Sequence, residues 1–97
     1  MFVTVHSYEI GEGTQVDVAR TAQEFLEQVS AIPGFRAYYM IDGGDHMIGS
    51  VSVFDTAEGV EECDRLAAGF VAERMKGFRL SEAQVTEGKV LASMLSR

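Results

Sequence analysis

The stretch that decides the fold runs from Phe35 to Phe54 and reads FRAYYMIDGGDHMIGSVSVF. Residues 35–42 and 46–54 are both rich in β-branched, aromatic and other apolar side chains, which is typical of strands. Gly43 and Gly44 lie between them, and glycine takes the positive φ angles of a tight hairpin turn without steric cost. The sequence therefore predicts two adjacent antiparallel strands, with Gly43-Gly44 as the loop.

That loop predicts the register of the hairpin. With Gly43-Gly44 as a two-residue connection, Met40 lies opposite Met47 and Tyr39 lies opposite Ile48.

An amphipathic helix is predicted on each side of the hairpin. The first begins after a Thr14 cap and ends at Pro33-Gly34, and the second begins after Asp55 or Thr56 and ends at Gly77. Apolar residues recur at spacings of three and four in both helices. They are Val18, Ala22, Phe25, Leu26, Val29 and Ile32 in the first, and Val60, Cys63, Ala67, Phe70 and Val71 in the second.

The outer strands complete one α+β domain over residues 1–97. Residues 2–10 alternate in the manner of a half-buried strand, and residues 80–93 are predicted as the last strand. The element order is then β-α-β-β-α-β, the ferredoxin-like arrangement of a four-stranded antiparallel sheet with two helices on one face.

Composition narrows the classes of partner. Fifteen acidic residues against eight basic ones give a formal charge of -7, which disfavours binding to nucleic acid or to anionic membranes. A single cysteine cannot form an internal disulfide, and no apolar run reaches membrane-spanning length. We therefore expect a cytoplasmic protein without a membrane or nucleic-acid partner.

Both faces of the predicted sheet are apolar, although two helices can cover only one of them. One face is assigned Met40, Met47, Val51 and Val53, and the other Phe35, Ala37, Tyr39, Ile41, Ile48 and Phe54. An exposed apolar face of this size is rare in a soluble monomer. We expect a homodimer joined through the sheet faces, with a cavity between the two sheets.

The chain resembles the antibiotic-biosynthesis-monooxygenase-like domains of the dimeric α+β barrel superfamily. The resemblance covers nearly the whole chain and rests on the short first strand, on residues 32–35 (IPGF) and on residues 51–58 (VSVFDTAE). It implies a cofactor-independent monooxygenase that acts on a small aromatic or polyketide-type substrate. The same superfamily contains proteins with other activities or none, so a non-catalytic dimer that binds a small apolar or aromatic molecule is the alternative.

Polar side chains among the apolar ones on one sheet face are the candidate site, and we assign that face to the dimer side. These residues are Thr4, His6, Tyr8, Tyr39, Ser50, Ser52 and Gln84. His6 is the candidate catalytic base, because an imidazole accepts protons near neutral pH. Tyr8 or Tyr39 would orient the substrate, and Ser50 and Ser52 would line the pocket. The competing interpretation of these residues is a set of ordinary hydrogen bonds across the dimer interface.

No metal or cofactor is predicted. Asp42, Asp45 and His46 flank the two glycines and fit a turn better than a metal site. Gly11-Glu12-Gly13 lacks the third glycine of a dinucleotide-binding loop. Haem degradation by the Asn, Trp and second-helix His of the related haem-degrading enzymes is not expected either, because the chain contains no Asn or Trp and its second helix no His.

Overall fold

Two helices and four strands follow one another in the predicted order β-α-β-β-α-β in the computed structural model, which describes residues 1–96. The elements are β1 (Phe2–Glu9), α1 (Gln15–Ser30), β2 (Phe35–Gly44), β3 (Met47–Phe54), α2 (Ala57–Arg74), a 3₁₀ turn (Lys76–Phe78) and β4 (Gln84–Lys89). The strands form one antiparallel sheet in the order β2-β3-β1-β4. The predicted ferredoxin-like α+β fold is confirmed.

Side-chain caps begin both helices where the sequence predicts them. The Thr14 hydroxyl accepts a hydrogen bond from the Asp17 backbone N–H at 3.2 Å, and the Thr56 hydroxyl accepts one from the Gly59 N–H at 3.1 Å. Each cap satisfies one of the backbone donors that the first helical turn leaves without a partner.

The last strand is shorter than the predicted range of 80–93. Arg79 has a left-handed backbone conformation (φ 50°), and Ser81 bonds to Glu9 through both its backbone N–H and its hydroxyl. These contacts turn the chain before β4 begins at Gln84. At the other end, the hydrogen bond from Val90 N–H to the Met1 carbonyl is the last one between β4 and the N-terminal strand.

The hairpin turn lies two residues beyond the predicted one. Asp45 and His46 form it with φ angles of 43° and 63°, while Gly43 and Gly44 belong to β2. The Asp42 carboxylate accepts a hydrogen bond from Gly44 N–H at 2.9 Å, beside an irregularity in the strand pairing.

This change of turn corrects the predicted register. Met40 pairs with Ser50 and Tyr39 pairs with Val51, instead of with Met47 and Ile48. The observed register differs from the predicted one by an odd number of residues. Relative to β3, every β2 side chain therefore lies on the face opposite to the predicted one.

The core lies between the sheet and the two helices. Its buried helical members are Val18, Ala22, Phe25, Val29, Val60, Cys63, Ala67 and Phe70, and Ile48 and Phe54 face them from β3. Thr4 and His6 of β1 and Ser52 of β3 are buried on this same face, and we call it the helix-covered face. Our assignment of these polar side chains to a dimer-side face was wrong. A period of two separates the faces of a strand but does not say which one the helices cover.

The opposite face carries no helix, and we call it the open face. The registers place Val3 and Val5 of β1, Tyr39 and Ile41 of β2, and Val51 and Val53 of β3 on it. Tyr39 is 61% exposed and Ile41 is 49% exposed. Of the helices within residues 1–96, none combines the length and the hydropathy that crossing a membrane requires.

Two glycines of α2 provide a matched test of this packing. A Cβ at Gly59 would lie 2.9 Å from Phe54 Cβ, whereas a Cβ at Gly69 would meet no atom within 4 Å. We expect Gly59→Ala to lower the free energy of unfolding by about 1–3 kcal/mol through overpacking. Gly69→Ala should raise it by up to about 1 kcal/mol, because alanine favours the helix. Urea unfolding measures both, and equal effects at the two positions would contradict the close contact of α2 with Phe54.

Candidate functional site

A hydrogen-bonded polar cluster joins β1 to α2 on the helix-covered face. The His6 ring places Nε2 2.8 Å from Asp64 Oδ1 and 3.1 Å from Thr4 Oγ1. The Thr4 hydroxyl donates to the same Asp64 oxygen at 2.9 Å, and the other ring nitrogen, Nδ1, lies 3.3 Å from the Tyr8 hydroxyl. His6 is only 7% exposed, so this network largely replaces water around the imidazole.

The strand period and one helical turn explain how these groups meet. Alternate residues of β1 share a face, which brings Thr4, His6 and Tyr8 into one row. Asp64 follows the buried Cys63 in α2, and its carboxylate contacts this row of β1 side chains at His6. Asp64 was not among the predicted site residues, because an acidic residue near Glu61 and Glu62 looks like part of a solvated helix face.

A signal for Asp64 does exist in the sequence. The residue lies four positions after Val60 and three before Ala67, so it occupies the apolar stripe of α2. A carboxylate in such a stripe needs a partner, and burial of a charge without one would be costly.

The charge of Asp64 sets the tautomer of His6. Burial acts to raise the pKa of Asp64, but hydrogen bonds, led by the one from Glu87, outweigh it and lower the pKa overall. The ionised carboxylate accepts a hydrogen bond, so a neutral His6 carries its proton on Nε2. Its Nδ1 then carries the lone pair, on the side of the ring that faces the Tyr8 hydroxyl.

The hydroxyl of Tyr8 is a donor in this arrangement. Burial raises its pKa, and the nearby Asp64 and Cys63 raise it further. The phenol therefore stays protonated near neutral pH and donates to His6 Nδ1.

A small, mostly apolar cavity of about 40 Å³ adjoins His6 and Tyr8. Its lining comprises His6, Tyr8, Val18, Ala22, Phe25, Tyr38, Met40, Ile48, Gly49, Ser50, Ala67, Phe70, Val71, Met75 and Leu80. The volume is room for one or a few water molecules. An open cleft of about 320 Å³ shares Ala22, Tyr38 and Met40 with this cavity, so these side chains separate the two spaces.

Two of the predicted pocket residues, Ser50 and Ser52, have different surroundings. Ser50 lines the cavity, whereas Ser52 is buried outside the lining, on the helix-covered face that the Cys63 thiol also faces. Burial raises the pKa of that thiol, which disfavours a reactive thiolate.

Tyr39 does not join the other predicted site residues. It lies on the open face, while His6, Tyr8 and Ser50 line the cavity on the helix-covered face. The corrected hairpin register is the reason, and it brings Tyr38 to the cavity instead. Gln84 also lies on the open face, since it pairs with Ser7.

Within residues 1–96, no cluster of three or more His, Cys, Asp or Glu side chains has the arrangement of a metal site. Asp42 and Asp45 lie at the hairpin, where Asp42 bonds to the backbone of the turn.

Tyr38 offers a test of burial at the cavity wall. Burial, opposed by the hydrogen bond with Ser50, raises the pKa of Tyr38 from 10.0 to about 12. Above a pH of about 10 the unfolded chain loses this proton while the folded chain keeps it, so stability is full below that pH and falls as the pH rises towards 12. The loss at a pH of about 11 should be about 1.4 kcal/mol.

Urea unfolding at a pH of about 9 and about 11 measures this loss. Tyr38→Phe should make the free energy of unfolding less dependent on pH, whereas the exposed Tyr39→Phe should keep the wild-type dependence. The same dependence in both variants would contradict the buried environment of Tyr38.

Comparison with known proteins relates the fold to other chains. No family model matches the sequence, and no curated protein is similar to it in sequence. Solved structures match over nearly the whole chain. A dimeric ferredoxin-like protein from an uncultured marine organism has 16% identity and a TM-score of 0.73, with 99% of this chain and 92% of that chain covered.

Two enzymes have the same fold. SnoaB, a cofactor-independent oxygenase from Streptomyces nogalater, has 14% identity and a TM-score of 0.71, with 98% of this chain and 97% of that chain covered. The haem degrader MhuD from Mycobacterium tuberculosis, with two haems in its active site, has 15% identity and a TM-score of 0.71. The match covers 97% of this chain and 99% of that chain. The expected resemblance to antibiotic-biosynthesis-monooxygenase-like domains is confirmed at the level of the fold: this chain has the ferredoxin-like α+β fold that these dimeric and oxygenase proteins share.

Proposed function

We propose that the protein is a cofactor-independent monooxygenase that acts on a small aromatic or polyketide-type substrate. The reaction would take place between the sheet and the helices of each protomer, and not between two sheets. The observation that carries the proposal is His6, whose Nε2 is held by Asp64 while Nδ1 faces Tyr8 at the cavity. The shared fold of SnoaB supports the reaction class.

The chemistry needs no external reductant. His6 Nδ1 removes a proton from an acidic CH₂ group of an anthrone-type substrate, and the resulting carbanion transfers one electron to O₂. The substrate radical and superoxide combine into a peroxide at that carbon, which is then protonated. Loss of water, with the remaining hydrogen of the carbon, leaves a ketone. One CH₂ group and one O₂ thus become one C=O group and one H₂O.

The surrounding residues would supply the environment for this reaction. Once Nδ1 holds the substrate's proton, the Tyr8 hydroxyl donates to the developing oxyanion instead, and Ser50, which pairs with His6 across the sheet, provides a second polar contact together with Tyr38. The remaining lining is aliphatic and aromatic, which excludes water from a reactive carbanion.

The cavity must enlarge to hold an aromatic ring. Met40 separates it from the outer cleft, and the unbranched thioether of methionine adopts several conformations at low cost. Rotation of this side chain would join the two spaces and admit a planar substrate from the side of α1.

The mostly apolar lining of the cavity also suits the alternative function, a non-catalytic dimer that binds a small apolar or aromatic molecule. The two functions differ in turnover, which the His6 experiment below measures. Haem degradation is not proposed, because the chain contains no Asn or Trp and α2 contains no His.

A second copy of this chain is the proposed partner, through the open face. The described chain exposes 6501 Å² of surface, about 1,000 Å² more than a monomer of 10.6 kDa usually does. A stable interface buries about 800 Å² on each partner, so the excess is sufficient for one. Part of this excess surface belongs to the residues after β4, where Leu91 is 94% exposed and Met94 is 96% exposed.

The cellular location that we propose is the cytoplasm, where a lone thiol remains reduced. Cys63 is free and buried, and the described chain has no disulfide.

His6 is the first test of the proposed reaction. His6→Ala should lower the turnover of a hydroxylated anthrone by at least about tenfold, because a positioned base contributes about 10²- to 10⁴-fold. His46→Asn should stay near the wild-type rate, since His46 lies in the exposed turn and asparagine tolerates its positive φ. Oxygen consumption and product absorbance measure the rates.

Equal turnover by the two variants would remove His6 from the mechanism. An absence of wild-type turnover across a broad panel of anthrones and quinols would favour the non-catalytic function.

Tyr39 tests the dimer. Tyr39→Lys places a charge on the open face and should shift the protein from dimer to monomer, because the interface would bury an unpaired ammonium group. Val16→Lys is the matched control, since Val16 is 64% exposed on α1, away from the sheet. Light scattering at low micromolar concentration measures the mass, and a wild-type monomer would contradict the proposed interface.

A further inference from the structure

The sheet and the helices contribute different chemistry to the lining of the cavity. Its polar side chains all come from the strands, and they are His6, Tyr8, Tyr38 and Ser50. Every side chain that α1 and α2 contribute to the lining is apolar. These are Val18, Ala22, Phe25, Ala67, Phe70 and Val71, of which the first five are buried. We call this group of side chains the helical wall.

The helical wall offers nothing that would hold a water molecule. A buried water needs about two to four polar partners, and aliphatic and aromatic side chains supply none. Within residues 1–96, every buried side-chain nitrogen or oxygen atom already has a hydrogen-bond partner, so none is left for water to satisfy. A cavity with such a wall takes up small apolar molecules in preference to water.

We propose that the helical wall is a binding site for dioxygen. The cavity of about 40 Å³ fits a diatomic molecule as it stands, without the enlargement that an aromatic ring requires. O₂ is apolar, so its transfer from water to this wall is favourable. The role of the site rests on the proposed function, in which O₂ is the second substrate.

Ala67 places this wall close to the reacting groups. It follows Asp64, whose carboxylate contacts His6, by three residues, which is about 4.5 Å along the helix axis. O₂ in contact with Ala67 would therefore lie within about one helical turn of the carbon from which His6 removes a proton. Because the carbanion and O₂ are held in one space, electron transfer and recombination need no diffusion from solvent.

Relaxation by dissolved O₂, which is paramagnetic, tests the site without an aromatic substrate. Under O₂ pressure, compared with the same pressure of N₂, the methyl groups of Val18 and Ala67 should relax faster than those of Val29. Val29 is the matched position, because it is also buried in α1 but does not line the cavity. An equal effect of O₂ at the three residues would overturn the site.

Filling the wall provides a second test. Ala67→Val adds carbon atoms at a position that lines the cavity and not the outer cleft, and it should abolish the additional relaxation at Val18. Ala68→Val is the control, since it makes the same change at the next, exposed position of α2 and should preserve the relaxation. Ala22→Val replaces Ala67→Val if that variant does not fold. Undiminished relaxation at Val18 in a folded filled variant would overturn the proposal.

Kinetics connect the site with the proposed reaction. With a hydroxylated anthrone, Ala67→Val should lower kcat/KM for O₂ by about fourfold or more, the factor that corresponds to one buried methylene-sized group. Ala68→Val should match the wild type. The dissociation constant of the anthrone, measured without oxygen, should be the same in all three proteins.

The two sets of measurements separate the site from the function. If the wild type turns over no anthrone while O₂ enhances relaxation at Val18 and Ala67, the proposed function fails and the dioxygen site remains. If the wild type is active and Ala67→Val retains its kcat/KM for O₂, the site has no part in the reaction and the proposed function remains.

Discussion

The hydrogen bond between the His6 ring and the Asp64 carboxylate is the interaction on which the site depends. It brings a charge-bearing side chain of α2 onto a buried row of β1, at a place where an apolar contact would have sufficed for packing. Such a pair adds little net stability when desolvation is counted, but it fixes geometry, because each group needs the other. Here it fixes the tautomer of an imidazole at the wall of a cavity.

The two faces of the sheet carry different groups of side chains. The helix-covered face holds the core, the cavity and the polar cluster, while the open face holds side chains such as Val5 and Val51 that only a further layer could cover. The proposed site inside each protomer and the proposed interface on the opposite face do not compete for the same residues. The interface would instead hold β1 and β3 rigid behind the site, which favours precise placement of His6.

At 14% and 15% identity, the comparisons with SnoaB and MhuD show the shared fold alone. This chain's own residues place a histidine on β1 with an α2 carboxylate behind it. Function must be argued from those residues, because one fold carries many chemistries. The size of the cavity also depends on this chain's own side chains, Met40 and Tyr38.

Local patterns in the sequence determined the elements, both helix caps and the ferredoxin-like order, because strand and helix periods and capping residues act over a few neighbouring positions. They also singled out His6, Tyr8 and Ser50, which line the cavity. Tertiary structure decided the rest. Which strand face the helices cover depends on packing. Tyr39 lies outside the site because the hairpin turns at Asp45-His46 and not at the predicted glycines. Asp64 is far from His6 in sequence, and only the folded chain brings its carboxyl to the ring.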